Sequence, residues 1–448
     1  MIKKILLSIA LFFLLCGSAY AACPAGQCEV TCDAPSSPIT TALQDAIDSA
    51  IDDDIINIGS GSCSSASVSW SNKNITVQGQ GDDSTYVSLT GTTLFSITAT
   101  TKAKFVIKNM DITTDVGDGN TIYIYHNQAT PTGGGSDGFR ITGLTMHTDA
   151  SGSSNRLIMI LGLVFGVIDN CDFDQNQAGN VIAVESYYNS SSCGSANPGC
   201  ESWEDVALGL GGDSAVYIEY CTFDTGTADT GETQSWVVDS YYGSRVVFRY
   251  NTVVGRWGAV STHWAGNSNW SRGPLKFEVY ENTFNNINAP IQMHGGTGVI
   301  YNNTFNDSKA ITIGDRRSCL QVYTTNCDGN DSTHDGNVSD NGWPCSDQIG
   351  RGGGAWGSQP SLPLYLWNNG GATAGLMGGC FDGGTLQASH VKSTAHANGE
   401  VDYCEHSTTM PSSCGTHTNT YSPYTYPHPL RGEAEVVPAN TIQGVTIN

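Results

Sequence analysis

Three ionisable side chains recur at one spacing in the second half of the chain. His263, His294 and Asp315 each lie ten residues after the apolar residue that ends a short β-strand motif. Equal offsets in consecutive repeats predict that these side chains lie in one row on one sheet. Glu185 and Asp239 are the expected counterparts in two earlier repeats, with offsets of 12 and 16 residues. Ionisable groups packed in one row shift each other's pKa values, as catalytic groups require.

Two reactions need side chains of these types. In a lyase, a base removes the proton next to a uronate carboxylate and a cation neutralises that carboxylate. His263 or His294 would be the base, and Arg316 would neutralise the carboxylate. In a glycoside hydrolase two carboxylates act together, about 5–5.5 Å apart for retention or about 6.5–9.5 Å apart for inversion. Glu185 and Asp239 would supply that pair, so both reactions stay open.

Aromatic residues accompany the predicted row. They follow its members closely in the sequence, as Tyr187, Tyr188, Tyr241, Tyr242 and Trp264. Flat aromatic faces beside carboxylates suit sugar rings, which present C–H faces and hydroxyl rims. Tyrosine is also common in ordinary strands whose polar residues face solvent. The combination favours a carbohydrate groove over a plain solvated surface.

A regular scaffold must position these side chains, and the sequence contains a repeat that would provide it. Seven segments share one pattern of apolar and polar positions: VIKNMDI (106–112), RITGLTM (140–146), VIDNCDF (167–173), YIEYCTF (217–223), VFRYNTV (247–253), VYENTF (279–284) and IYNNTF (300–305). A short β unit cannot bury its apolar face alone, so the repeats are expected to stack into a solenoid. Strands this short favour an all-β parallel β-helix over a propeller or a sandwich.

One position of the repeat is occupied by residues that suit stacking. Asn251, Asn282 and Asn303 would lie about 4.8 Å apart in adjacent turns and bond through their side-chain amides. Cys171 and Cys221 occupy the same position in earlier turns. They are expected to be either buried thiols or a bridge between turns.

The two ends of the chain differ from the repeat region. We expect residues 22–54 to form a disulfide-stapled N-terminus with a capping helix, and residues 55–318 to form the β-helix. Residues 319–448 are rich in Gly and Cys and are expected to form an irregular region that packs on the β-helix. The capping helix is indicated by apolar residues at helical spacing, namely Ile39, Leu43, Ala46, Ile47 and Ala50.

Residues 1–21 read as a secretory signal peptide. Lys3 and Lys4 precede an apolar run over 5–16, and a small-x-small signal at 19–21 predicts cleavage near Ala21. The mature chain would then be secreted, held at the cell surface or periplasmic, with no membrane span. Removing Cys16 from the 15 cysteines leaves 14, an even number that suggests disulfides in an exported chain.

Charge excludes one class of partner. The chain of 448 residues has 19 Lys and Arg against 42 Asp and Glu, a formal net charge of −23. Binding nucleic acid requires clustered cations, so this class is set aside. The acidic surface would also repel a polyuronate unless calcium intervened, and calcium is the one cofactor that the sequence suggests.

The order of these segments resembles a known superfamily. A cap helix that leads into DDDIINIGSGSC (52–63), the turn KNITVQGQGDDSTYV (73–87) and serial NTF strands is similar to the pectate-lyase-like superfamily. The strings WPCSDQIGRG (343–352) and YSPYTYPHPL (421–430) resemble those of its secreted bacterial members. The resemblance implies a right-handed parallel β-helix. The superfamily contains lyases, hydrolases, epimerases and non-catalytic adhesins, so the resemblance does not choose a reaction.

From these features we expect a secreted carbohydrate-active protein. It would be a polysaccharide lyase or a glycoside hydrolase that acts on an extracellular glycan along a groove on one face. The alternative is a non-catalytic β-helix that binds glycan or serves as a structural surface protein.

Overall fold

The computed structural model describes most of the chain between residues 27 and 432. The described residues are 27–32, 38–81, 84–114, 119–128, 130–148, 156–175, 179–186, 209–226, 236–255, 258–262, 273–306, 311–314, 347–354, 359–370, 372, 374–376, 391–396 and 399–432. All structural statements below concern these residues.

A short helix covers the N-terminal end of the coil. It runs from Thr40 to Ser49 and buries Leu43, Ala46 and Ile47. It is shorter than the periodic segment 37–54, because Pro38 and Ile39 pair with Ser64 before it begins. At the C-terminal end of the helix, the Lys73 ammonium donates to the carbonyls of Ile47, Asp48 and Ala50. A cation at this end satisfies carbonyls that have no partner within the helix.

The strands lie on three faces of a coil, of which faces 1 and 2 belong to one bent sheet of twenty described strands. Two strands, Val106–Thr114 and Phe139–Thr148, bend and run through both faces 1 and 2. Face 1 further contains Gln27–Val30, Ile55–Ile58, Thr76–Gln78, Thr132–Gly133, Val164–Asp169, Val216–Glu219, Arg245–Arg249, Lys276–Tyr280, Thr297–Tyr301, Leu364–Trp367 and Tyr403–His406. Face 2 further contains Gly61–Ser65, Thr85–Leu89, Asp172–Gln175, Thr222–Asp224, Thr252–Val254, Thr283–Asn285 and Thr304–Asn306.

Face 3 is a separate sheet of ten described strands. They are Val68–Ser71, Phe95–Thr98, Asn120–Tyr125, Arg156–Leu161, Asn180–Glu185, Trp236–Tyr241, Gly258–Thr262, Ala289–Met293, Ile311–Ile313 and Ala374–Leu376. A small antiparallel pair, Ser413–Cys414 with His417–Thr418, and a 3₁₀ turn at Pro429–Arg431 follow near the C-terminus.

These pairings confirm the predicted all-β fold class, a right-handed parallel β-helix. Each strand pairs in parallel with the equivalent strand of the next turn, so identical positions form columns along the coil. The inward columns are apolar, and one of them on face 3 consists of Ile158, Ile182, Val238, Val260 and Ile291. Because inward and outward residues alternate along a strand, the same columns also fix which side chains face outward.

The corner between faces 1 and 2 contains the predicted asparagine ladder. Asn251 Nδ2 lies 3.2 Å from Asn282 Oδ1, and Asn282 Nδ2 lies 3.0 Å from Asn303 Oδ1. The ladder extends one turn further, because Asn303 Nδ2 donates to Asn369 Oδ1 at 3.0 Å. Cys171 and Cys221 are in the same column in earlier turns. Both are buried free thiols, so the alternative of a bridge between them is wrong. Disulfides do join Cys32 to Cys63 and Cys404 to Cys414.

We predict that Asn282→Ala lowers the free energy of unfolding by about 3 kcal/mol. The Asn282 amide accepts from the backbone N–H of Asn251 and donates to the carbonyl of Phe248, both at 2.9 Å. Each buried group left without a partner costs about 1–3 kcal/mol. Denaturant unfolding would measure the loss. The matched control is Asn306→Ala, whose exposed side-chain amide bonds to half-buried Asn285 and whose loss should cost under about 1 kcal/mol. Equal losses for the two variants would contradict the prediction.

The C-terminal part of the chain both lengthens the coil and covers it. Leu364–Trp367 and Tyr403–His406 extend face 1, and Ala374–Leu376 extends face 3. Residues 419–432, which we name the C-terminal strap, lie on the outer side of face 1. In the described part of the chain, no helix is both long and apolar enough to cross a membrane.

A buried network of charges fastens the strap to face 1. Arg249 Nε donates to Glu219 Oε2 at 2.6 Å, and both side chains are fully buried. The remaining nitrogens of Arg249 donate to the strap carbonyls of Tyr424 and Thr425, both at 2.8 Å. From the strap, Arg431 donates to Glu219 Oε1 at 3.2 Å. Opposite charges that are buried together and fully hydrogen-bonded avoid the large cost of an unpaired buried charge.

A second carboxylate extends this network. Asp169 accepts from Nε and Nη2 of Arg140, both at 2.9 Å, and forms an ion pair with Arg431 at 3.4 Å. Asp169, Glu219 and Arg249 occupy one outward column of face 1. The network therefore joins three turns of the coil to a segment more than 170 residues away in sequence.

Candidate active site

The structure describes five of the eleven residues that the sequence singled out. Glu185, Asp239, Tyr241, Tyr242 and His294 are described. The others lie outside the described residues: His263, Asp315, Arg316, Tyr187, Tyr188 and Trp264. All five described residues lie on face 3 or directly after one of its strands. Their roles remain predictions.

The register of face 3 differs from the predicted row at Asp239. Glu185 pairs with Tyr241, whereas Asp239 pairs with Ala183 and Ser261. Asp239 therefore lies two residues out of register with Glu185, and placing both in one row was wrong. The offsets of 12 and 16 residues reflect connecting segments of different length, so counting from the repeat motif does not give the register. Both residues still face outward, because they are separated by an even number of positions.

The register also shifts by one residue between the strands Ala289–Met293 and Ile311–Ile313, which come before His294 and Asp315 in the sequence. Phe284 pairs with Phe305, and Met293 pairs with Ile313. Phe284 and Met293 are nine residues apart, whereas Phe305 and Ile313 are eight residues apart. His294 directly follows Met293, so the residue in register with His294 is Gly314, which directly follows Ile313. Gly314 is one position before Asp315 in the sequence. Equal offsets of ten residues from the motif therefore do not correspond to equal register positions on this face.

Asp239 is the most enclosed member of the site. Its side chain is on the outer side of face 3, because its neighbour Val238 packs in the core, yet Asp239 is 1% exposed. Asp239 Oδ2 accepts from Tyr241 Oη at 2.8 Å and from Asn180 Nδ2 at 2.9 Å. Asn180 is held in turn by the backbone N–H of Trp236, which donates to its Oδ1 at 3.1 Å. The carboxylate is thus fixed before any ligand arrives.

The surroundings of Tyr241 keep its hydroxyl protonated. Burial raises the pKa of Tyr241 most, and the carboxylates of Asp239 and Glu185 raise it further. The Arg156 guanidinium acts in the opposite direction. A tyrosine with a raised pKa is a hydrogen-bond donor at neutral pH and not a base. Tyr241 is therefore suited to orient Asp239 or a bound hydroxyl.

Face 3 contains three site residues that the sequence analysis missed. Arg156 lies in the same column as Asn180, and its charge acts on Tyr241. Tyr123 and Tyr125 project from a neighbouring strand with ring centroids 6.2 Å apart. Burial raises the pKa of Tyr123 most, and Tyr125 and the Glu185 carboxylate raise it further. The alternating segment NTIYIY (120–125) was the available signal for the tyrosines. Arg156 had no comparable signal, because it begins an apolar strand as a single cation.

His294 is placed near this group but is almost enclosed. It is 5% exposed and follows the strand Ala289–Met293. Its backbone N–H donates to Thr262 Oγ1 at 2.7 Å, which ties this turn to the previous one. Tyr242 adopts a left-handed conformation with φ of 50° directly after the Trp236–Tyr241 strand. That bend ends the strand and leads the chain toward face 1.

The predicted calcium has no visible set of ligands here. In the part of the chain that the structure describes, no three His, Cys, Asp or Glu side chains converge as metal ligands do. Asp239 Oδ2 is already taken by two hydrogen-bond donors. Calcium prefers six to eight oxygen ligands, so Asp239 does not fit a dedicated calcium site.

Comparison with known proteins adds little about activity. No family model matches the sequence, and no curated protein matches it. Among solved structures, the PL6-family alginate lyase AlyGC is similar with a TM-score of 0.33 and 17% identity over 64% of this chain and 41% of that chain. A mutant of AlyGC gives a TM-score of 0.36 and 12% identity over 90% of this chain and 57% of that chain. The chain thus spans less than two thirds of either solved chain, and TM-scores this low support no functional conclusion.

Proposed function

We propose that the protein is an exported enzyme that cleaves a polysaccharide on face 3, as a lyase or a glycoside hydrolase. The observation that carries the proposal is the buried Asp239 carboxylate, held by Tyr241 and Asn180 on an outward face with Glu185 and Arg156. A pre-oriented carboxylate among polar and aromatic groups is what acid–base chemistry on a sugar requires.

The residues divide into those that react and those that position. Asp239 and Glu185 would supply the two carboxylates of a hydrolase, or Asp239 would orient a substrate hydroxyl in a lyase. Tyr241 would position Asp239 and hold a hydroxyl near the reacting bond. In the lyase case, His263 or His294 would be the base, and Arg156 or Arg316 would neutralise a uronate carboxylate.

The test is cleavage of a panel of neutral and uronate polysaccharides, with and without added calcium. Ultraviolet absorbance of unsaturated ends detects a lyase, and reducing sugar without that absorbance detects a hydrolase. Asp239→Asn is expected to reduce turnover at least about 100-fold, the lower range for loss of an acid–base group. Asparagine keeps an oxygen for the two donors, so the melting temperature should stay close to that of the parent.

Asp53→Asn is the matched control. Asp53 lies at an exposed turn near the first strand of face 3, five strands away from the strand of Asp239, and has φ of 71°, a conformation that asparagine tolerates. This variant should retain full activity. If the parent protein cleaves nothing in either assay but binds one of the polysaccharides, the non-catalytic alternative replaces the enzyme proposal. If Asp239→Asn is fully active, the site is elsewhere.

Several broader features belong to the same proposal. We propose membership of the pectate-lyase-like superfamily, export after cleavage near Ala21, and division into segments 22–54, 55–318 and 319–448. The disulfides at Cys32–Cys63 and Cys404–Cys414 support export, because disulfides persist in oxidising compartments. Calcium as a cofactor remains a prediction, tested by the calcium arm of the same assay.

A further inference from the structure

A second concave site lies away from face 3, at the corner between faces 1 and 2. The cleft has a volume of about 340 Å³, at the small end of the range for small-molecule sites. Its walls are formed by consecutive turns of the coil and are mainly polar. The residues that line the cleft include Asn109, Gly143, Asn170, Asp172, Tyr220 and Tyr250.

The cleft exists because one corner residue lacks a side chain. Asn109, Gly143, Asn170, Tyr220 and Tyr250 occupy the same corner position in five consecutive turns, and each has φ between 50° and 60°. Gly143 leaves an opening between the side chains on either side of it. A Cβ at Gly143 would lie 2.7 Å from Asn109 Oδ1, so any larger residue would intrude on the cleft.

Two of these corner residues are of an unexpected type. The left-handed conformation suits glycine and asparagine, whereas for a bulky residue it is strained. Tyr220 and Tyr250 nevertheless adopt it, with φ of 59° and 57°. Glu281 adopts the same conformation in the next turn, outside the cleft, so the bend belongs to this corner of the coil, and it directs the Tyr220 and Tyr250 side chains to the wall of the cleft. The strap braces both rings, since Tyr426 stacks on Tyr250 at 3.8 Å and the Arg431 guanidinium lies 5.3 Å from the Tyr220 centroid.

The polar groups of the cleft are available to a ligand. Asn109, Asn170 and Asp172 are exposed, and none of them makes a side-chain hydrogen bond within the described chain. Thr145, Asp172, Thr222 and Thr252 form the adjoining column of face 2 and add three hydroxyl groups. Amides, hydroxyls and one carboxylate beside tyrosine rings match the hydroxyl rim and C–H face of a sugar.

We propose that this cleft binds a short stretch of a neutral, hydroxyl-rich glycan, at a site separate from face 3. Neutral sugar is favoured over uronate because the described residues that line the cleft include the Asp172 carboxylate and no lysine or arginine, while Arg431 lies behind the Tyr220 ring and is paired with Asp169 and Glu219. Asp174 and Asp224 project from the same face close by, and they would repel an anionic ligand. The site goes beyond the proposed function, because it requires no chemistry.

Binding of oligosaccharides to the Asp239→Asn protein tests the proposal without interference from cleavage. Isothermal titration would use cellohexaose, xylohexaose, mannohexaose and laminarihexaose, with a hexamer of glucuronate as the anionic probe. At least one neutral hexamer should bind. Gly143→Asn, which fills the cleft with a residue that accepts the corner conformation, should weaken that binding at least tenfold. Asp172→Ala should weaken it as well, which covers the case in which Gly143→Asn does not fold.

The matched control is Thr304→Ala. Thr304 is exposed in the same column of face 2, two turns beyond Thr252 at the end of the cleft, so its loss should leave binding unchanged. Absence of binding by all neutral hexamers, preference for the glucuronate hexamer, or equal affinity in Asp172→Ala would each overturn the proposal. Cleavage by an otherwise native Gly143→Asn protein reports on the face 3 site separately, so failure of one site does not imply failure of the other.

Discussion

Replacement of Arg249 by methionine is expected to lower the free energy of unfolding by about 3–5 kcal/mol. The change leaves the fully buried Glu219 carboxylate without its closest partner, 2.6 Å away. It also removes both donors to the strap carbonyls of Tyr424 and Thr425. Breaking one side of a buried ion pair is costly because the remaining charge stays in a medium of low polarity.

Two measurements separate loss of the strap from general unfolding. Denaturant unfolding gives the total loss, and chymotrypsin cleavage after Tyr421 or Tyr424 reports whether the strap has opened. The double variant Glu219→Met with Arg249→Met removes both charges and should recover part of the stability. As a control, Lys102→Met breaks an exposed pair with Asp52 and should change stability little. If Arg249→Met were as stable as this control, the network would not hold the strap.

Acid is expected to loosen the same strap through His428. This side chain is fully buried, and its Nδ1 accepts from the backbone N–H of Leu430. Burial lowers the pKa of His428 to about 3 from 6.5, and the positive charges of Arg249, Arg140 and Arg431 contribute to the decrease. The other groups around it are the Tyr217 and Tyr424 rings and Glu219, which accepts from the His428 backbone N–H.

The sign of the pH effect follows from this lowered pKa. Between pH 6.5 and about 3 the unfolded chain binds a proton at His428 and the folded chain does not. Stability from this residue is therefore complete above pH 6.5 and decreases as the pH falls, by up to about 1.4 kcal/mol per pH unit. A proton on His428 would add a further cation to three arginines, so the strap is the part expected to open first.

His428→Asn removes the titration and retains an acceptor for Leu430. Melting temperatures of the parent and the variant, measured from pH 7.5 to pH 4.5, should diverge as the pH falls. Buried His126, whose pKa is lowered to about 4, contributes equally to both proteins and does not affect the difference. Parallel curves for the two proteins would show that His428 does not govern the acid response.

The coil and its ladder could be predicted from the sequence because both depend on local period. Asn251, Asn282 and Asn303 occupy the same position in similar motifs at short intervals, so stacking places their amides in contact whatever lies between the motifs. The register of face 3 could not be predicted in the same way. The segment before Asp239 contains connections of irregular length, and a shift of two residues replaced Asp239 by Tyr241 opposite Glu185.

The charge network had no local signal at all. Glu219 and Arg249 are each the last residue of a short strand that is otherwise largely apolar, a position that is normally solvated. Their burial results from a segment that follows about 175 residues after Arg249 and returns to cover them. Only the folded structure shows that a distant arginine, Arg431, also donates to Glu219.

The asparagine ladder has a consequence for how such a molecule gains length. Asn282 and Asn303 are 21 residues apart, and each forms the same bonds to the turn before it and the turn after it. If the segment 283–303 were copied in tandem, the asparagine of the added turn would bond to the ladder asparagine of the turn before it and to that of the turn after it. No other substitution would be needed for these bonds. Duplication of this one module offers a route from a shorter coil to a longer one that preserves the ladder bonds at each step.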